Sequence, residues 1–253
     1  MELYISETPD QLGSKAALKA AGLLREAVRS KGAARFLVST GASQFETFFH
    51  LLKEDVHWSR VELFHLDEYV GIPETHGASF VKYLKERFIN LLPVSLKAAH
   101  LINGMGDPAQ EIAKASAEIR KAPIDAALIG IGENAHIAFN DPPADFDTKE
   151  AFITVTLDEA CKAQQVRENW FPTISDVPKT AITMSVSQIM DSAVILSAVP
   201  HIQKAEAIRK TFAYDLTSQV PSTMLKTHKN WTLYLDKASA STLPENVLKT
   251  SRG

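Results

Sequence analysis

The sequence predicts an α/β protein, a Rossmann-like three-layer sandwich in which a mostly parallel sheet is covered by helices on both faces. Three observations predict it. Short apolar runs alternate with longer amphipathic stretches, as strands do when each is followed by a crossover helix. Two of the runs end in residues that carry chemistry, at the strand ends where open parallel sheets bind ligands. The 253 residues, 45% hydrophobic and 23% charged, can bury one large core. With neither an internal repeat nor a linker-like segment to divide them, residues 1–253 read as one domain.

Thr8-Pro9-Asp10 opens a helix that runs through Ala16 to about Ser30 and stops at Gly32, since proline suits a first helical turn and glycine its end. Arg35 to Ser39 is a short apolar strand. Thr40-Gly41-Ala42-Ser43 then turns the chain into an amphipathic helix whose Phe45, Phe48, Phe49 and Leu52 stand at helical spacing, a stripe that reads as core. Val61 to Leu66 is the next strand, followed by a loop and a helix from about Ser79 to Leu92. A long connection through Asn103-Gly104 leads to a helix at about 109–121 and a strand at 125–130. Ile153 to Thr156, Thr180 to Met184, Ala193 to Ala198 and Trp231 to Leu235 are further strands, with a helix from His201 to Phe212 between the last two.

Composition excludes several classes of function. The formal net charge is −3 with acids and bases mixed along the chain, so there is no electrostatic footprint for nucleic acid or anionic membrane. A single cysteine, Cys161, excludes an intramolecular disulfide and a thiolate cluster for zinc. No apolar run approaches the roughly 18 residues of a membrane helix, and the start lacks the basic-then-apolar layout of a signal peptide. Cytoplasm is the expected location. His50, His57, His100 and His228 have no companion ligand at metal spacing, His65 alternates on a buried strand, and His76 falls in a loop from which it could line a site.

The most informative stretch is Gly130-Ile131-Gly132-Glu133-Asn134-Ala135-His136-Ile137-Ala138-Phe139-Asn140-Asp141, directly after the apolar run Asp125 to Ile129. Glycines at a strand's carboxyl end let backbone approach a ligand, and the next residues deliver an imidazole, an amide and a carboxylate to one spot. Pro142-Pro143 prevents a helix from absorbing the loop. The second stretch, Leu66-Asp67-Glu68-Tyr69-Val70-Gly71, places two acids at the end of another strand. Ser39-Thr40-Gly41-Ala42-Ser43 offers free backbone N–H groups and two hydroxyls to an anion, or a plain serine helix cap. Lys204 opens the helix after strand 193–198, where a cation is unfavourable with the helix dipole unless an anion joins it; the alternative is an exposed surface lysine.

Together, Leu66 to Gly71 and Gly130 to Asn140 resemble the signatures of the glucosamine-6-phosphate deaminases (isomerases), whose superfamily includes the 6-phosphogluconolactonases. The resemblance covers nearly the whole chain. It implies a small-molecule amino sugar phosphate as substrate, converted to a ketose phosphate and ammonia, with no nucleic acid or membrane partner. It implies that Asp67 moves a proton between C2 and C1, and that His136, oriented by Asp141, opens the sugar ring. Asn134 belongs with them to the catalytic set, and Gly132 to the substrate-binding one. Thr40, Gly41, Ala42, Ser43 and Lys204 match the phosphate-binding positions, and Arg167 is the nearest basic match to an arginine on a mobile lid spanning Cys161 to Phe171. Each step is acid/base work, which requires no metal, redox centre or other cofactor.

The chain departs from the family pattern at several positions. Asn134-Ala135-His136 stands where the family has Asp-Gly-His, Asp141 where it has Glu, and Ala42-Ser43 where it has Gly-Thr. Asn134 can orient the imidazole but cannot favour its protonated form electrostatically. The lactonases continue from their His into a Ser-Leu-Phe-Pro-like segment, whereas Ile137-Ala138-Phe139-Asn140 has the deaminase form. A sensor that binds without turnover is the remaining alternative; retention of Asp67, His136 and Asp141 argues against it. Homo-oligomerisation and the preferred hexosamine stay open. The hexameric deaminases are activated by an N-acetylated sugar phosphate through an Arg-x-Lys pair, which Lys149 to Thr156 lacks.

Overall fold

The computed structural model describes residues 1–252. Strand β1 (Glu2–Ser6) leads into α1 (Pro9–Lys31), β2 (Ala34–Val38), α2 (Phe45–Leu51) and β3 (Val61–His65). After β4 (Asp67–Tyr69), α3 (Phe80–Arg87), β5 (Ala98–His100) and α4 (Pro108–Ile119) comes β6 (Ala126–Leu128). The second half carries β7 (Phe152–Thr156), α5 (Glu159–Arg167), β8 (Thr180–Met184), α6 (Val186–Met190) and β9 (Ile195–Val199). It closes with α7 (Ala205–Ala213), β10 (Trp231–Asp236) and α8 (Glu245–Leu248).

Seven strands form one sheet in the order β1-β10-β9-β6-β2-β3-β5, all parallel. β2, β6, β9 and β10 are buried along their whole length. Such a strand needs apolar side chains on both faces, because helices or other elements cover each face. Alternate residues divide between two cores. Phe36, Val38, Ala126, Leu128 and Leu196 pack with the alanine-rich face of α1 and with Phe48 and Leu84. Leu37, Ala127, Ile195 and Leu233 pack on the other side with Ile119 of α4, Ile189 of α6 and Ile208 of α7. The predicted α/β sandwich is thus the observed architecture.

The ends of α1 follow from its sequence. Gln11 N donates to the Thr8 hydroxyl at 3.2 Å, Pro9 sits in the first turn, and Gly32 takes a left-handed φ of 78° to close the helix.

Several elements differ from the sequence reading. Asp67 to Tyr69, expected as a loop exit, is a strand that joins an antiparallel three-stranded sheet in the order β4-β8-β7. Two acids in three residues give no strand signal by themselves; pairing of Asp67 with Thr183 and of Glu68 with Ile182 supplies it. The short strands β1 and β5 and the five-residue α6 were not anticipated. The aromatic stripe is core only in part. Phe48 is 1% exposed, but Phe49 is 55% exposed, with Lys53 Nζ 3.5 Å above its ring. At one helical residue past Phe48 its side chain leaves the buried face. No helix among the described residues is long and apolar enough to cross a membrane.

Candidate active site

The site lies where the direction of sheet building reverses. β2 and β6 are neighbours, but the chain leaves β2 toward β3 and leaves β6 toward β9. A crevice therefore opens between the loops at their carboxyl ends, the place where open parallel sheets bind ligands. Those loops, residues 39–44 and 130–141, flank a pocket of about 500 Å³. That volume suits a hexose phosphate.

One end of the pocket is built for an anion. Gly41 takes φ 100°, which a residue with a side chain adopts only with strain, and the Tyr83 hydroxyl donates to its carbonyl at 2.8 Å. The Gln44 amide donates to Ser43 Oγ at 3.1 Å and to the Ala198 carbonyl at 3.3 Å, tying this turn to β9. Ser43 caps neither the 3₁₀ turn Ala42–Gln44 nor α2, so the plain-cap alternative fails, and Ser43 lines the pocket. Lys204 ends a 3₁₀ turn just before α7 and lines the same pocket. Burial pushes its ammonium below the usual lysine range, while Glu168 and Glu133 partly oppose that. No acid among the described residues lies within ion-pairing distance of it. Arg167, at the end of α5, also lines the pocket and pairs with Glu133.

The other end holds the titratable groups. Asp67 is 6% exposed on the pocket wall. Burial, and secondarily the charge of Glu68, pushes its carboxyl up to about 8. Glu68 itself points away. It accepts from the Ser79 hydroxyl at 2.7 Å and from Val81 N at 3.0 Å, so it anchors the start of α3. His136 lines the pocket with Nδ1 2.9 Å from Asp141 Oδ1. Burial alone would raise Asp141, but His136, Asn134 and Cys161 outweigh it and hold the carboxyl below its ordinary value.

Local backbone explains why this loop holds the imidazole. A Cβ on Gly132 would stand 2.2 Å from His136 Nε2, so the ring fits only against a glycine. Gly132 N donates to the His136 carbonyl at 2.9 Å, closing a tight turn whose Ala135 takes φ 70°. Asn134 works on the loop. Its amide donates to Asp141 Oδ1 at 2.9 Å and its carbonyl oxygen accepts from His136 N at 3.1 Å. The expectation that Asn134 orients the imidazole is corrected to this: it fixes the backbone of His136 and the carboxylate of Asp141.

Of the residues singled out from sequence, Thr40, Gly41, Ala42, Ser43, Asp67, Gly132, His136, Arg167 and Lys204 all line this pocket. Asn134 and Asp141 lie behind His136. His76 does not line it; it stacks on Phe171 with centroids 5.3 Å apart, and its Nδ1 accepts from Ala78 N at 3.1 Å. His65 is structural, its Nε2 accepting from Ile102 N at 2.8 Å while burial lowers it to about 3. The sequence reading missed Gln164, Gln165, Glu168 and Trp170 on and after α5, and His201 after β9. The signal for the first four was their place in the expected lid segment; for His201 it was proximity to Lys204.

The sequence model of the family described as glucosamine-6-phosphate isomerases/6-phosphogluconolactonase matches residues 7–234. A glucosamine-6-phosphate deaminase of Thermoanaerobacter sp. is 32% identical over 237 residues, 91% of this chain and 92% of its own length. One from Shouchella clausii is 34% identical over 229 residues, 88% of this chain and 91% of its own. Among solved structures, a monomeric glucosamine-6-phosphate deaminase superposes with a TM-score of 0.88 at 28% identity, over 96% of this chain and 100% of that one.

Proposed function

The chain belongs to the glucosamine-6-phosphate isomerase/6-phosphogluconolactonase family, and we propose that it is a deaminating aldose–ketose isomerase, converting glucosamine 6-phosphate or a close amino sugar phosphate to the ketose phosphate and ammonia. The observation that carries this reading is one pocket with a buried carboxyl and an imidazole at one end and, at the other, a half-buried lysine with no ion-pair partner among the described residues.

Lys204, with the turn at 40–43 and Arg167, holds the phosphate. Placing it far from the reacting carbons lets binding energy position C1 and C2 without taking part in bond changes. His136 exchanges protons with the ring oxygen and the C1 hydroxyl, opening the ring, while Asp141 behind it fixes the orientation of the imidazole. Asp67 then takes the proton from C2 and returns it to C1. Water adds at C2 as ammonia leaves, giving the ketone. A carboxyl near 8 is suited to both halves of that transfer, since neither its acid nor its base form is scarce near neutrality.

The direct test is incubation of the purified protein with glucosamine 6-phosphate and measurement of ammonia and fructose 6-phosphate, with the galactosamine epimer in parallel. Equimolar release of the two products is expected. Hydrolysis of 6-phosphogluconolactone without ammonia release, or tight sugar-phosphate binding with no turnover, would overturn the reading.

A further inference from the structure

Behind the pocket, three donor atoms of different chemistry converge from two elements. The imidazole of His136, a carboxylate oxygen of Asp141 and Sγ of Cys161 lie within 4.8 Å of one another. His136 Nδ1 faces Asp141 Oδ1 at 2.9 Å, and the second carboxylate oxygen, Asp141 Oδ2, is buried without a hydrogen-bond partner. Cys161 is 1% exposed and in no disulfide. A buried polar group with an unused lone pair is costly, and it recurs where a ligand belongs.

We propose that His136, Asp141 and Cys161 form a binding site for a soft divalent cation of the zinc class, and that filling it stops turnover. An imidazole, a carboxylate and a thiolate select zinc, cadmium or cobalt over magnesium or calcium. Tetrahedral coordination with ordinary metal–ligand bonds sets donor atoms about 3.3 to 3.8 Å apart, so closing this site asks for movements of about 1 Å. As the metal–sulfur bond forms, the Cys161 S–H proton leaves to solvent and no electron is transferred. Carboxylate and thiolate then balance the two positive charges, and a water completes the shell.

The consequence is a staple between two elements. His136 and Asp141 belong to the loop after β6, whereas Cys161 sits in the first turn of α5, the helix that also carries Arg167. An ion bound to all three fixes α5 against the loop and consumes a nitrogen of the imidazole. His136 can then no longer be held by Asp141 as a proton carrier. Neither Asp141 nor Cys161 reaches the pocket wall, so the ion enters only when α5 or the ring shifts. Substrate bound by Arg167 and His136 therefore slows its entry. The inhibitory half of the proposal rests on the deaminase reading; the binding half does not.

Because Cys161 is the chain's single cysteine, a thiolate-to-metal absorption band can come from this site alone. Titration of the purified protein with cadmium or cobalt chloride should raise that band to one ion per chain, with deaminase turnover falling in parallel and glucosamine 6-phosphate slowing both. Cys161→Ser and Cys161→Ala should lose the band and need at least ~10-fold more metal to halve whatever turnover each retains, the loss expected with one of three ligands. Absence of the band in the wild-type protein, a saturated band with turnover unchanged, or equal inhibition of the variants would overturn the site. Were deamination itself absent, the band would still decide the binding claim, separating its failure from that of the proposed function.

Discussion

Asp67 sets two expectations at the scale of a residue. Asp67→Asn keeps shape and polarity but removes the base, so turnover should fall by at least ~10²-fold while sugar-phosphate affinity stays near wild type. Steady-state rates beside a binding titration check it, and wild-type turnover in the variant would remove Asp67 from the mechanism. The same carboxyl affects stability. Its ordinary value is 3.8 and its folded value about 8. Between those two pH values the unfolded chain has released the proton that the folded chain keeps, so this group's contribution to stability falls as pH rises through the window and is level above it. The advantage of Asp67→Asn over wild type in thermal melts should therefore widen from pH 4 to pH 8; a margin equal at both would contradict it. For the free protein, kcat/KM should rise toward pH 8 as the base ionises. At the other end of the pocket, Lys204→Ala should weaken substrate binding by about 1.5 to 3 kcal/mol, the range of a charge-assisted hydrogen bond. Glucosamine without its phosphate should be handled poorly by both forms. Equal wild-type affinity for glucosamine and its 6-phosphate would exclude Lys204 as the anchor.

At the scale of an element, the loop from Gly130 to Asp141 decides whether the imidazole is aimed. Gly132→Ala puts a methyl group inside the His136 ring, 2.2 to 2.4 Å from three of its atoms. Glycine at 132 is also where backbone and ring meet, so the ring must turn away from Asp141. A displacement of about 1 Å costs on the order of 10²-fold in rate. That loss should appear in kcat with thermal stability little changed, and an undiminished kcat would show that His136 need not sit where it does. This loop was legible in the sequence because its residues act on each other across a few positions. So was the turn at 40–43, where a strand end and small residues announce a close approach. What was illegible depends on distant pairing. β4 exists because β8 lies beside it. Gln165 and His201 enter the pocket from α5 and from the end of β9, with no spacing in the chain to connect them. The meeting of Cys161 with His136 is of the same kind.

At the scale of the whole molecule, the reversal of strand order between β2 and β6 accounts for the place of the substrate site. Allostery requires two sites whose ligands distinguish two states of the protein. In the related hexameric deaminases the activating N-acetylated sugar phosphate is met by an Arg-x-Lys pair; here the corresponding stretch, Lys149 to Thr156, contains no arginine. The exposed positions of β7 are Thr154 and Thr156, uncharged and unable to hold a phosphate by ion pairing. The nearby Arg120 is already engaged, donating to the Lys149 carbonyl at 2.7 Å and standing 3.7 Å from Glu150. The rate should accordingly follow substrate concentration hyperbolically, and N-acetylglucosamine 6-phosphate should change neither the curve's shape nor its midpoint at concentrations too low to compete at the active site. The check is a substrate series with and without the acetylated sugar. A sigmoidal curve made hyperbolic by the acetylated sugar would mean that an effector phosphate is bound by residues other than the missing pair.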